Sequence, residues 1–247
     1  MYHYLRCNTI VLEYRGYGNS QGSPSEHGLR LDALAALSFA ERLARAGRIN
    51  PDRLFVFGRS LGGAVATWLA AQRPDALAGL VVENTFTSIE DMAVELAGRF
   101  VGLGALERPL RAFLHVFMTS HWRSIDLAPS LAVPALFICG LADELVPPSQ
   151  MQALHAAAQQ GSTPLAHSSQ NNQNSAGAPA AAAAGSSIVT VGGGRGDKVF
   201  FGVPGGEHNT TFFQGGQPYY AAYAKFIAQY SRKAGASGAP GPGLASE

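Results

Sequence analysis

Short runs of β-branched and aromatic residues alternate along the chain with longer stretches rich in alanine and leucine. The short runs predict buried strands and the longer stretches predict helices. The predicted strands are Asn8–Tyr14, Leu54–Phe57, Leu80–Glu83, Pro134–Gly140 and Lys198–Val203. The predicted helices are Leu29–Ala46, Ala64–Gln72, Met151–Gln159 and Tyr219–Tyr230. This alternation predicts an α/β fold, with a mostly parallel sheet and helices on both of its faces.

Three stretches depart from the alternation: two lie within a single domain predicted to span residues 1–232, and the third follows it. Residues 161–196 are rich in Ser, Asn, Gln, Gly and Ala without any period, which predicts a disordered insertion. The tail 233–247 is also predicted to be disordered. Residues 85–133 form a lid-like segment, whose apolar side chains either pack the lid on the sheet or line a pocket for an acyl chain. These side chains are Phe100, Leu103, Leu106, Leu110, Phe113, Phe117 and Trp122.

Composition narrows the class of protein. The chain has 247 residues, of which 47% are apolar, so it can bury one substantial core. Its net charge of +1, without a basic stripe, gives no indication of nucleic-acid binding. Cys7 and Cys139 are expected to be free thiols, and no metal-ligand spacing or cofactor motif stands out. No secretory leader or run of about 18 apolar residues is present, so we expect an intracellular protein.

The most informative motif is Gly58-Arg59-Ser60-Leu61-Gly62, because a predicted strand precedes it and a predicted helix follows it. A G-x-S-x-G turn in this context is a nucleophile elbow, in which a sharp turn presents the serine hydroxyl. We expect Gly58 and Gly62 to be required because side chains there would collide in so tight a turn. The backbone N–H of Leu61 is the expected oxyanion donor at the start of the helix.

A serine hydroxyl needs a base that is itself held by an acid. Asp143 follows the fourth predicted strand and His208 follows the last, so both should meet Ser60 at the carboxyl edge of the sheet. Their order along the chain is the order of a Ser–Asp–His triad on an α/β sheet. Asp143 competes with its neighbour Glu144, and more distantly with Glu83, for the role of the acid.

Several runs resemble the alpha/beta-hydrolase domain-containing protein 13 group, which includes fungal bud-emergence and plant wavy-growth homologues. The resemblance implies an alpha/beta-hydrolase fold and a serine hydrolase, with Ser60, Asp143 and His208 at the triad positions. It also implies acyl ester or thioester substrates, because related members are lipases or protein depalmitoylases that act on lipids or lipidated proteins. The matching runs are Tyr14–Gly18, Phe57–Ala66, Glu83–Phe86, Ser88–Ile89, Gly140–Pro148 and His208–Asn209.

The chain also departs from this group at its N-terminus. Members carry further strands, and a Gly-rich loop that supplies half of the oxyanion hole, ahead of the region that matches Asn8–Tyr14. They are anchored to membranes by an N-terminal helix, so membrane contact is expected of a full-length protein. We therefore expect an N-terminally truncated hydrolase whose first strands are missing, with Leu61 as its remaining donor and a turnover lowered by about 100- to 1000-fold. The alternative is a catalytically silent module that binds acyl ligands or a partner.

Overall fold

The computed structural model describes residues 2–101, 106–117, 119–161, 188–191 and 196–231. Within these residues one sheet has five strands, β1 (Phe55–Arg59), β2 (Gly79–Glu83), β3 (Ala135–Gly140), β4 (Ile188–Val191) and β5 (Lys198–Val203). Their order across the sheet is β1-β2-β3-β5-β4. All neighbouring pairs are parallel except β4 and β5, which are antiparallel. The predicted α/β architecture with a mostly parallel sheet is confirmed.

Helices cover the sheet on both faces, as the sequence predicts. Strand β2 illustrates the division. Leu80 and Val82 belong to an apolar cluster with side chains of the helices Glu26–Arg45, Leu61–Gln72 and Pro148–Gln160, whereas Val81 points to the opposite face and belongs to a cluster with side chains of α8 (Thr211–Tyr230). Helix α8 is kinked at Gly216, where the backbone φ is 46°. The helices are α1 (Tyr2–Leu5), α2 (Glu26–Arg45), α3 (Leu61–Gln72), α4 (Ile89–Val101), α5 (Glu107–Phe117), α6 (Ser124–Leu127), α7 (Pro148–Gln160) and α8 (Thr211–Tyr230). Short 3-10 turns lie at Pro51–Arg53 and Ala128–Ser130.

The prediction of a strand at Asn8–Tyr14 was wrong. This segment follows α1 without regular structure, and in the part of the chain that the structure describes it pairs with no strand. Ile10 and Val11 are 46% and 85% exposed. An apolar run becomes a strand only where a neighbouring strand accepts its backbone hydrogen bonds, and the sequence pattern does not report that neighbour.

The prediction of a disordered insertion over residues 161–196 was wrong at four positions. Ile188–Val191 forms β4 and pairs with β5 from Ile188 opposite Phe201 to Val191 opposite Lys198. The Ile-Val-Thr-Val sequence is strongly β-forming, and the polar residues before it concealed that signal. Residues 162–187, 192–195 and 232–247 lie outside the described residues.

The lid-like segment contains α4, α5 and α6. Leu106 and Phe113 are 63% and 57% exposed, so both present more than half of their surface to solvent. Trp122 is buried in the main apolar core, with an exposed fraction of 4%. The side chains of Phe100, Leu103 and Phe117 lie outside the described residues. Part of the segment therefore packs on the core, and part presents apolar side chains to solvent.

The C-terminal part of the lid-like segment is tied to α2 and α3. Oε2 of Glu26 accepts hydrogen bonds from the backbone N–H groups of His121 and Trp122, at 2.7 and 3.1 Å. The guanidinium of Arg30 lies over the rings of Trp68 and Trp122, 5.3 and 5.5 Å from their centroids. Cation–π contacts of this kind contribute about 0.5–2 kcal/mol each. Three elements that are distant in sequence thus meet at one charged and aromatic junction.

A buried lysine lies at the opposite edge of the sheet from the predicted active site. Lys198 begins β5 and is 1% exposed. Its ammonium donates to the carbonyl oxygens of Leu131, Val133 and Gly196, at 3.0, 3.0 and 2.7 Å. Burial lowers the pKa of Lys198 to about 8. The hydrogen bonds to Leu131 and Val133 join the start of β5 to the chain that leads into β3.

Candidate active site

Ser60 occupies a strained backbone position in the turn between β1 and α3. Its φ and ψ are 53° and −124°, values that residues other than glycine rarely adopt. The backbone N–H of Ser60 donates to the carbonyl oxygen of Glu83 at 3.0 Å, which fixes the turn against the end of β2. This strand–turn–helix geometry, with a strained serine, is that of a nucleophile elbow.

The elbow glycines differ in their steric role. A Cβ placed on Gly58 would overlap the backbone of Gly62, so Gly58 is required for the close approach. A Cβ on Gly62 would meet no described heavy atom within 4 Å apart from its own helix and chain neighbours. The prediction that side chains would collide at both glycines was therefore right at Gly58 and wrong at Gly62. Sequence reasoning missed Gly63, where a Cβ would lie 2.6 Å from Cβ of Thr85.

Leu61 is the first residue of α3, so its backbone N–H has no acceptor within the helix. The N–H lies at the positive end of the helix dipole, directly after Ser60. This N–H is the backbone donor that directly follows Ser60, where an oxyanion would form. The role of Leu61 as an oxyanion donor stays a prediction.

Asp143 and His208 lie within hydrogen-bonding distance, although 65 positions separate them. Oδ2 of Asp143 is 2.8 Å from Nδ1 of His208. Oδ1 of Asp143 accepts from the backbone N–H groups of Leu145 and Val146, at 2.9 and 2.8 Å. The carboxylate is 3% exposed as a residue, so these three contacts define its orientation. Glu144 is exposed.

The ring of His208 is held in one tautomer by this contact. A carboxylate oxygen accepts a hydrogen bond, so Nδ1 carries the proton and Nε2 presents its lone pair. The His208 side chain retains 12% exposure. Ser60, Asp143 and His208 follow β1, β3 and β5, which are parallel strands of one sheet, and all three lie at its carboxyl edge. An acceptor nitrogen at this edge is what a serine nucleophile requires.

Glu83, the more distant alternative to Asp143, has a different partner. The hydroxyl of Tyr219 donates to Oε2 of Glu83 at 2.5 Å, and Glu83 is 2% exposed. Burial raises the pKa of Glu83, although the Tyr219 hydrogen bond opposes this effect. Glu83 therefore contacts helix α8, whereas Asp143 contacts His208.

Sequence reasoning missed Asn84, which directly follows β2. Its side chain is 1% exposed and reaches both the loop before Asp143 and the loop that carries His208. The signal in the sequence is an amide residue placed at the carboxyl end of a buried strand. That position alone does not reveal which loops the amide contacts.

The described residues contain no group of three or more His, Cys, Asp and Glu side chains that could hold a metal ion. Cys139 is buried beside the site, and its pKa is raised to about 12 by burial and by the charge of Asp143. A thiol with so high a pKa stays protonated at neutral pH and is a poor nucleophile. The described helices also include none that is long and apolar enough to cross a bilayer.

The fold matches that of known alpha/beta hydrolases. One similar solved structure is the Pyrococcus furiosus esterase Pf2001, which superposes with a TM-score of 0.56 at 13% identity. The match covers 89% of this chain and 69% of the esterase chain. At this identity the likeness establishes the fold class. The expectation of an alpha/beta-hydrolase fold is confirmed.

Residues 34–180 match the model of the prolyl oligopeptidase family, and the chain belongs to that family. The alpha/beta hydrolase domain-containing protein WAV2 of Arabidopsis thaliana is 35% identical over 230 residues, which confirms the resemblance to the wavy-growth group. The match covers 92% of this chain and 62% of that protein, so the chain spans less than two thirds of its relative. A shorter match, to the lysophosphatidylserine lipase ABHD12 of Danio rerio, is 38% identical over 95 residues and covers 36% of this chain and 23% of the lipase.

Proposed function

We propose that this protein is a serine hydrolase that cleaves acyl esters or thioesters through an acyl-enzyme at Ser60. The observation that carries the proposal is the hydrogen bond between Asp143 and His208, which prepares a base at the sheet edge where the strained Ser60 lies. Membership of a hydrolase family supports the same reaction class.

In the first half of the proposed reaction, Oγ of Ser60 attacks the acyl carbonyl carbon while Nε2 of His208 takes the hydroxyl proton. Asp143 stabilises the resulting imidazolium through Nδ1. The carbonyl oxygen becomes an oxyanion that the backbone N–H of Leu61 can bind. Collapse of the intermediate breaks the bond to the alcohol or thiol, which leaves with the proton held on His208.

In the second half, His208 removes a proton from a water molecule as the water attacks the acyl carbon of the acyl-enzyme. The second intermediate collapses, the acyl group leaves as a carboxylic acid, and Oγ of Ser60 recovers its proton from His208. No cofactor takes part in either half.

Exposed apolar side chains on both sides of the triad support an acyl substrate. Leu141 and Leu145 belong to the loop of Asp143 and are 43% and 52% exposed. Phe212 and Phe213 follow His208 at the start of α8 and are 42% and 74% exposed. Apolar surface beside polar catalytic groups suits a fatty acyl chain. The lipase activity in the name of the Danio relative supports lipid esters as one substrate class.

A fluorophosphonate probe tests the nucleophile, because the probe forms a covalent bond only with an activated serine. We expect the purified chain to be labelled, Ser60→Ala to lose the label, and the exposed control Ser23→Ala to keep it. Equal labelling of Ser60→Ala would refute the assignment.

Nitrophenyl esters of increasing acyl length test the substrate class. We expect turnover that depends on Ser60 and a KM that falls as the acyl chain lengthens, because about 0.8 kcal/mol accompanies each methylene buried. The alternative is the silent acyl-binding module, which would bind a fluorescent fatty acid without turnover or labelling.

A further inference from the structure

Asn84 forms hydrogen bonds to two of the loops that carry the proposed triad. Its Oδ1 accepts from the backbone N–H of Gly140 at 2.8 Å, at the start of the loop of Asp143. Its Nδ2 lies 3.1 Å from the carbonyl oxygen of His208 and 2.8 Å from Oγ1 of Thr211. The orientation of the amide is unambiguous because an N–H faces its oxygen and a carbonyl faces its nitrogen.

The backbone of Asn84 is as constrained as its side chain. Its φ is 45°, in the left-handed region that asparagine tolerates better than most residues. Its backbone N–H donates to the carbonyl oxygen of Ile138 at 3.1 Å, which continues the pairing of β2 with β3. The side chain therefore projects from a fixed point and is fully buried.

Thr85 makes the corresponding contact to the third loop. Its Oγ1 donates to the carbonyl oxygen of Ser60 at 2.8 Å. Gly63 makes room for this contact, because a Cβ there would lie 2.6 Å from Cβ of Thr85. The adjacent residues Asn84 and Thr85 thus reach the loops of all three triad residues.

We infer that Asn84 and Thr85 are positioning residues for the reaction, Asn84 aligning His208 with Asp143 and Thr85 aligning Ser60. The inference rests on the proposed function, and neither residue is assigned a contact with substrate. Asp143 holds the His208 ring at Nδ1, while Asn84 holds the His208 backbone carbonyl, so the residue is held at its ring and at its main chain. Catalytic groups require placement within about 0.5 Å, and a misplacement of 1 Å can cost about 100-fold in rate.

The first test replaces Asn84 by glycine, which tolerates the positive φ and removes the side chain together with its hydrogen bonds. We expect Asn84→Gly to lower kcat with nitrophenyl esters by about 10- to 100-fold and to leave KM within about twofold. The control is Asn50→Gly, which removes an exposed asparagine whose Oδ1 accepts from Asp52 ahead of β1. The control should leave both constants within about twofold of the parent.

The second test uses the hydroxyl of Thr85. Thr85→Val keeps the shape of the side chain and removes the donor to Ser60, whereas Thr85→Ser keeps the donor. We expect fluorophosphonate labelling of Ser60 to slow by about 10-fold in Thr85→Val and to recover in Thr85→Ser. If the role of Thr85 were purely structural, Thr85→Val would lower the melting temperature, and Thr85→Ser would not restore the labelling rate.

A third readout does not depend on activity. The proton on Nδ1 of His208 should give a low-field NMR signal that is lost in Asp143→Ala. We expect it to shift or broaden in Asn84→Gly and to stay in place in Asn50→Gly. If folded Asn84→Gly retains both kcat and this signal, the inference is overturned.

The outcomes of these three tests distinguish a failure of the inference from a failure of the proposed function. Absence of labelling in the parent chain would refute the proposed function, and the NMR comparison would still decide the role of Asn84. If Asn84→Gly fails to fold, the Thr85→Val and Thr85→Ser pair decides the inference through the labelling rate. Equal labelling rates in that pair would overturn it.

Discussion

The hydroxyl of Tyr219 in α8 donates a 2.5 Å hydrogen bond to Oε2 of Glu83, the last residue of β2. Both side chains are buried, at 1% and 2% exposure. The hydrogen bond joins α8 to the carboxyl end of β2, two parts of the chain separated by 136 positions. The buried carboxyl gives the stability of the fold a dependence on pH.

We expect Glu83→Gln to remove that dependence. Burial raises the pKa of Glu83 in the folded state, so the unfolded chain loses its proton first as the pH rises. Stability from this group is therefore fully present below the ordinary glutamate pKa of about 4.3 and falls as the pH approaches the raised value. Melting temperatures measured from pH 4 to pH 8 should decline less in Glu83→Gln than in the parent. In the exposed control Glu13→Gln, the melting temperature should fall with pH as steeply as in the parent. If it also falls as steeply in Glu83→Gln, Glu83 is not the source of the pH dependence.

Asp143→Asn should lower kcat by about 10⁴-fold, on the proposed mechanism, without unfolding the protein. The N–H groups of Leu145 and Val146 would select the amide oxygen, which turns the amide nitrogen towards His208. Nδ1 of His208 would then have to accept, and Nε2 would carry the proton and could not act as a base. Steady-state kinetics checks this outcome, with the exposed Glu144→Gln as the control. A comparable loss of kcat in Glu144→Gln would indicate that Glu144, rather than Asp143, is the acid of the triad.

The two elbow glycines should respond differently to alanine. Gly58→Ala forces a methyl group into the backbone of Gly62 and should cost several kcal/mol of folding free energy or shift the elbow. Gly62→Ala meets open space and adds a good helix former to α3, so its stability should match or exceed that of the parent. Urea unfolding together with the labelling rate checks both variants. Equal effects at the two positions would contradict the steric difference.

Lys198→Met should lower the free energy of unfolding by about 1–3 kcal/mol, because the buried carbonyl oxygens of Leu131 and Val133 lose the ammonium as donor. The substitution also removes the cost of burying a charged ammonium, and this gain offsets part of the loss. Urea unfolding measures the change, and the exposed Lys225→Met is the matched control. A variant as stable as the parent would mean that the cost of burying the ammonium equals the gain from its hydrogen bonds.

The sequence predicted the parallel strands from short apolar runs, and the signal is clearest where the strand is buried throughout, as in Ala135–Gly140. It also predicted that Asp143 and His208 lie together at the carboxyl edge of the sheet, and the two side chains are 2.8 Å apart. Their role in catalysis stays a prediction. It failed at Asn8–Tyr14, where an apolar pattern lacks a described strand partner, and at Ile188–Val191, where polar residues precede a real strand. Asn84 escaped detection because its role depends on a positive φ and on loops distant in sequence.

The junction of Arg30 with two indole rings gives the protein a local optical reporter. Trp68 and Trp122 are the two tryptophans of the chain, and both lie within 5.5 Å of the same guanidinium. Their ultraviolet emission therefore senses one place, where α2, α3 and the lid-like segment meet. A change in emission upon addition of an acyl ligand would report movement at that junction, while the sheet stays spectroscopically silent.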